Sequence, residues 1–243
     1  MTTASVPEIE ACWALFLDLD GTLLDLAPTP DSVVVPPGLT DSLAVLGRRL
    51  DGALAIVTGR ARATVDSLLA PLELPGAFGH GAELRDAAGR RTTDGSIMPL
   101  PPSWADRLTR TVRAWPGVLL ERKPHGLALH FRAAPHHGDA ARGALAALLR
   151  GHETHFTLLP AHMAYEIRPR LATKGRAVDA LMQAGPFRGR RPVFVGDDVT
   201  DEEGMQAARR LGGLGLHVGR DFRAGPAEVR AWIARAAAPL QQE

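Results

Sequence analysis

Two carboxylates, Asp18 and Asp20, stand two positions apart at the end of the apolar run 14–17 and just before Gly21 and Thr22. Extended chain alternates its side chains, so both acids leave one side and Leu19 the other. Like charges held that close repel, and they persist only where a cation or a shared proton offsets them. Such a pair suits attack on an electrophile, proton transfer or the holding of a cation; a solvated pair capping the next turn is the plainer alternative. Further polar groups occupy comparable places. Thr58, Gly59 and Arg60 close a second apolar run, Lys174 opens a helical pattern, and Asp197, Asp198 and Asp201 follow the apolar run 192–195. Every candidate ligand is an oxygen and no Cys or His cluster accompanies them, so the cation expected is magnesium.

The elements that must position these groups follow from periodicity. After a loop kept extended by Pro28, Pro30, Pro36 and Pro37, a helix begins near Gly38, with Leu39, Leu43, Leu46 and Leu50 as its buried stripe. Residues 53–57 read as a second buried strand, followed by a helix up to Pro71. Strand, helix, strand with polar groups at the carboxyl ends is the pattern of an open parallel α/β sheet, which places its ligands there. Residues 78–85 read as a third strand entering a hairpin at Ala88 and Gly89.

Around Pro99, Pro101 and Pro102 the character changes. Ser103 with Asp106 signals a capping box for a helix that turns Trp104, Leu108, Val112 and Trp115 inward. Strands over 118–123 and 126–132, a helix over 138–150, and strands over 155–159 and 164–168 come next. Hairpins around two helices predict a small antiparallel α+β module at 99–169, inserted between core segments 1–98 and 170–243. Parity puts Glu121 with Lys123, Glu166 with Arg168, and His130 with Arg132 on polar faces, the last pair opposite Leu127, Leu129 and Phe131. The core resumes with a helix from Lys174, strands at 192–195 and 214–218, and a last helix from Pro226.

Composition narrows the field of partners. With 28 Lys and Arg against 27 Asp and Glu, the net charge of +1 gives no field for gathering nucleic acid or an anionic membrane, so an anionic ligand has to be held locally. No segment approaches the ~18 apolar residues of a membrane span. A single cysteine, Cys12, excludes an intrachain disulfide, and Glu8 and Glu10 stand where a leader peptide would be basic. A cytoplasmic monomer is expected. His136, His137, His152, His155 and His162 read as solvated surface.

Together Asp18 with Asp20, Thr58, Lys174, and Asp197 with Asp198 and Asp201 resemble, in order and approximate spacing, the four motifs of haloacid-dehalogenase-type (HAD) phosphatases. The strings GHGAELR, PGVLLERK, LALHFRAAP, YEIRP, TKGRA and VFVGDDVTDE are similar to trehalose-6-phosphate phosphatases, over about 14–218. That resemblance implies a doubly wound parallel-sheet, HAD-like (Rossmannoid) α/β core with an inserted α+β cap. It implies Asp18 as the nucleophile of an aspartyl-phosphate route and Asp20 as the acid, then the base. Mg2+ would be held by Asp18, the main-chain carbonyl of Asp20 and Asp197, with Asp198 and Asp201 behind them orienting waters or Lys174. Thr58, Gly59 and Arg60 would meet the substrate's phosphoryl end. Glu121, Lys123 and Glu166 would bond the glucose unit farther from the phosphate, with Arg132, His80 and Glu83 as further substrate contacts.

Charged side chains suit a neutral disaccharide, because their hydrogen bonds to hydroxyls are stronger than those of neutral groups. Asp20 needs a proton for the first step, so its surroundings are expected to favour the protonated form; Asp18 is expected to be ionised without help. Leu19, Thr58 and Phe131 stand where the family often has tyrosine, serine and tyrosine, and none of the three removes a catalytic atom. The resemblance also suggests functional coupling to a trehalose-6-phosphate synthase. A phosphatase for another sugar phosphate is the nearest rival. A silent sugar-phosphate sensor or regulatory subunit is the rival from another class, against which Asp18, Asp20, Lys174 and Asp197 are all present.

Overall fold

The computed structural model describes residues 6–29, 32–93, 95–161 and 163–238; Pro30 and His162 lie outside them. In chain order the elements are β1 (Trp13–Leu17), α1 (Leu39–Arg49), β2 (Leu54–Val57), α2 (Arg62–Leu68), β3 (Gly76–Phe78), β4 (Glu83–Arg85) and β5 (Arg91–Thr93). Then come α3 (Pro102–Val112), β6 (Leu119–Lys123), β7 (Gly126–His130), α4 (Gly138–Leu149), β8 (Phe156–Ala161) and β9 (Ala164–Pro169). The chain closes with α5 (Lys174–Met182), β10 (Arg191–Gly196), α6 (Val199–Arg210), β11 (Leu214–His217), α7 (Val218–Asp221) and α8 (Pro226–Ala237). They form two compact units, one from Met1–Thr92 with Thr173–Glu243 and one from Thr93–Ala172.

In the first unit the sheet runs β11-β10-β1-β2-β3-β4-β5. β1 is buried at every position, as a central strand covered on both faces must be. It pairs in parallel with β10, Leu17 beside Val195, and with β2, Leu17 beside Ile56. That register brings the carboxyl ends of the three strands level, and the residues next in sequence are Asp18, Thr58 and Asp197. Leu39, Leu43, Leu46 and Leu50 are buried as their spacing predicts, and Phe16 stacks on Phe187 with ring centroids 5.5 Å apart. The strand expected over 78–85 is broken in two. Gly79, His80 and Gly81 all take positive φ, so the chain reverses and β4 returns antiparallel to β3.

The second unit is a four-stranded antiparallel sheet ordered β6-β7-β9-β8. Its core gathers Trp104, Leu108, Leu127, Leu129, Leu145, Leu148, Phe156 and Ile167, from α3, α4 and one side of the sheet. α3 starts one residue earlier than the expected cap, at Pro102, whose ring presets the first helical φ; Ser103 does not cap it. β7 stops at His130, because Ala134 N–H bonds back to Phe131 O at 2.9 Å and a turn takes over. Arg132 therefore lies exposed in that turn, outside the strand whose parity placed it with His130.

Candidate active site

Asp18 continues β1 by one residue, its N–H bonded to Val195 O at 3.0 Å. Its carboxylate is buried, and Oδ1 accepts from Lys174 Nζ at 2.7 Å; the same ammonium donates to Asp201 Oδ1 at 2.6 Å. Thr173 caps α5 by accepting from Arg176 N–H, which sets Lys174 at the first position of that helix. Asp201 Oδ2 accepts from the N–H groups of Asp197 and Asp198, both at 3.1 Å, while Asp198 accepts from Thr200 and Asp201. This capping box at the start of α6 fixes the loop that carries Asp197. Thr22 Oγ1 donates to Asp197 Oδ1 at 3.3 Å. Gly21, at φ 77°, is the residue that makes this approach: a Cβ there would run into the Asp197 carboxylate.

Ligand atoms of Asp18, Asp197 and Asp201 lie within 4.8 Å of one another. Burial, the neighbouring charge of Asp201 and that of Asp197 push Asp18 well above the usual carboxylate range, with Lys174 pulling the other way. Burial and the charges of Asp201 and Asp198 push Asp197 up to about 7. Lys174 is itself buried, yet Asp18, Asp201 and Asp198 hold its charged form firmly. Asp18 is thus not ionised for free, as its residue type suggested. One ammonium facing three close carboxylates leaves negative charge uncompensated, and the donors are all oxygen, so the site fits a hard divalent cation.

Asp20 has a partner that sequence reasoning did not anticipate. Arg60 grips it through both oxygens, Nε to Oδ2 at 2.6 Å and Nη2 to Oδ1 at 2.7 Å. A guanidinium fork of this kind matches the two-oxygen geometry of a carboxylate and orients it. Thr58, fully buried, accepts Arg60 N–H on its Oγ1 at 3.2 Å and keeps its own hydrogen for donation. His80 N–H bonds Thr58 O at 2.9 Å, and its ring lies so close over Gly59 that a Cβ there would meet it at 2.5 Å. Thr58, Gly59 and His80 therefore form one packed corner. Glu83 is engaged elsewhere: it accepts from Arg62 at 2.7 Å, in a chain of ion pairs through Asp66 to the buried Arg85.

The inserted sheet collects Glu121, Lys123 and Glu166 on the side away from its hydrophobic core. Glu121 is opposite Ala128, and Ala128 is opposite Glu166. Lys123 Nζ donates to Glu166 Oε2 at 2.5 Å, and His130 Nε2 meets Glu121 Oε2 at 2.8 Å. Burial works against the charge on Glu121, but His130 and Lys123 outweigh it and hold its carboxyl below the usual range. Thr22 and His130 are contacts that sequence reasoning left out of the site, although the string sets Thr22 just after the two acids and strand parity marked His130 as polar-facing.

A parallel sheet that delivers a buried aspartate from its central strand, a threonine from the next and a lysine-braced acidic loop from the third has the layout of HAD-type phosphatases. The trehalose-phosphatase family model matches residues 16–233. The trehalose-6-phosphate phosphatase of Escherichia coli K12 is 39% identical over 247 residues, covering 98% of this chain and 91% of the relative. A probable trehalose-phosphate phosphatase of Sinorhizobium fredii is 44% identical, covering 85% and 78%. A solved trehalose-6-phosphate phosphatase related protein, 24% identical, superposes with a TM-score of 0.74 over 92% of this chain and 96% of that one, a likeness of fold. The chain belongs to the trehalose-phosphatase family. Among the described residues no helix is long and apolar enough to cross a membrane.

Proposed function

We propose that this protein hydrolyses trehalose 6-phosphate to trehalose and inorganic phosphate through an aspartyl phosphate on Asp18. The observation that carries this reading is Lys174 Nζ bridging the buried Asp18 and Asp201 with Asp197 alongside. An Asp18 oxygen forms a bond to phosphorus as the bond from phosphorus to the sugar oxygen breaks, and Asp20 gives that oxygen its proton. In the second half a water attacks phosphorus, Asp20 takes the water's proton, and the bond to Asp18 breaks. Arg60 takes one lone pair on each Asp20 oxygen, which orients the carboxyl and leaves a second lone pair for the proton. Lys174 pulls Asp18 toward the ionised form that attacks, against the burial and the neighbouring carboxylates that oppose it, and the Thr58 hydroxyl with the Gly59 main chain donates to the phosphoryl oxygens. Asp18, Asp197 and the main-chain carbonyl of Asp20 would hold Mg2+, which offsets charge on the carboxylates and the phosphoryl oxygens when bound. Asp201, with both oxygens engaged, orients Lys174 and the loop of Asp197 and Asp198.

The inserted unit acts as the cap that recognises the sugar, through Glu121, Lys123 and Glu166; the reading also has a soluble cytoplasmic monomer taking substrate from a trehalose-6-phosphate synthase. A panel of sugar phosphates assayed with and without Mg2+ tests it. Trehalose 6-phosphate should be the best substrate, with turnover lost without the metal. A different sugar phosphate turning over faster would overturn the substrate, and metal-independent turnover the cofactor.

A further inference from the structure

The polar face of the inserted sheet carries a group with no part in the reaction so far described. His130 Nε2 lies 2.8 Å from Glu121 Oε2. An ionised carboxylate only accepts, so the imidazole is the donor and its proton sits on Nε2. The contact runs diagonally between neighbouring strands, since His130 is opposite Leu119 while Glu121 is opposite Ala128.

On the other side of β7, Ala128 is opposite Glu166, whose carboxylate accepts from Lys123. The two glutamates thus start level from strands on either side of Ala128, about 10 Å apart at the backbone, which is two interstrand spacings. Each is tied by a donor from a different row, His130 on one side and Lys123 on the other. Between them on that face β7 contributes only the methyl group of Ala128, itself 2% exposed. His130 and Glu121 retain 26% and 32% exposure, so the pair is held in place and still open to a ligand.

We propose that His130 is the positioning residue for Glu121, and that it sets how strictly this face reads the hydroxyls of a neutral sugar. The inference rests on the proposed role of the inserted unit in sugar recognition. A loose glutamate gives up its rotamer freedom when it bonds a hydroxyl; one already tied to His130 has given it up beforehand. A fixed acceptor also leaves a misplaced hydroxyl unpaired, and that is what separates one sugar from another.

Steady-state kinetics on trehalose 6-phosphate and on p-nitrophenyl phosphate, which has no sugar, test this in the full chain. In H130A the KM for trehalose 6-phosphate rises about tenfold, the scale of one ordered charge-assisted hydrogen bond, and more than kcat falls. The ratio of kcat/KM between the two substrates falls with it. H130Q, whose amide N–H reaches toward the same oxygen, recovers most of the loss, and E121A/H130A is no worse than E121A alone. A KM in H130A within twofold of the parent, equal losses on both substrates, or additive effects in the double variant would each overturn the assignment. Should the parent chain prefer another sugar phosphate, the proposed substrate falls, and the same series on that preferred compound decides His130 by the same criteria.

Discussion

At the ends of the core strands three carboxylates, Asp18, Asp197 and Asp201, share one ammonium; on the inserted sheet each glutamate has a donor of its own, His130 for Glu121 and Lys123 for Glu166. The core cluster is also drier, with the side chains of Lys174, Asp18 and Asp201 at 3%, 6% and 0% exposure, against 26% and 32% for His130 and Glu121. A charge deficit in a dry place is held together only by further positive charge, which suits phosphate chemistry with a cation. Balanced pairs on a sheet face, from 11% to 32% exposed, suit a ligand that brings hydroxyls and no charge. The same residue types thus serve two tasks because their partners and their access to water differ.

Breaking the core side of this contrast should have the larger effects. D18N replaces the carboxylate proposed to attack with a neutral amide, and phosphate release should fall by about 10^4-fold or more. K174M leaves Asp18 and Asp201 buried without their ammonium, so the metal-free protein should lose about 3–5 kcal/mol in urea unfolding, along with its activity. Chelation should lower turnover by about 100-fold to 1,000-fold, with recovery on adding magnesium back. On the inserted sheet the consequence is milder. K123M should raise the KM for trehalose 6-phosphate by about tenfold, with a smaller fall in kcat, because the pair it breaks lies on the proposed sugar-reading face and not among the core carboxylates.

The smallest effect sharpens the contrast through pH. Asp197, pushed up to about 7, carries a proton in the metal-free protein below that pH, and a cation has to displace it. Magnesium affinity measured by calorimetry should therefore fall by up to about tenfold per pH unit below 7 and level off above it. For the same reason the contribution of Asp197 to metal-free stability declines as pH rises from the ordinary carboxylate range to about 7, since the ionised form is the one the fold disfavours. Metal affinity that is flat between pH 5 and pH 8 would show that the cation displaces no proton from Asp197 in that range.

What the string displayed best was whatever depends on periodicity. The leucine stripe of α1, the buried run of β1 and the acids just past strand ends are local patterns, and the fold keeps them. Contacts between distant side chains were not legible in the same way. Nothing near Asp20 names Arg60, which is 40 residues away, or ties Glu83 to Arg62. The break between β3 and β4 depends on His80 taking φ 59°, a conformation its residue type does not announce even between two glycines. Arg132 shows the limit of parity: alternation holds only while the strand lasts, and β7 ends at His130.

The position of β1 between β2 and β10 also governs how the protein comes into being. Asp18 and its lysine are separated by 156 residues of chain. At ribosomal speeds of about 5–20 residues per second, Asp18 waits roughly ten to thirty seconds for the ammonium that balances it. No nascent fragment short of β10 contains a finished centre, so phosphate hydrolysis cannot begin before that strand has been made.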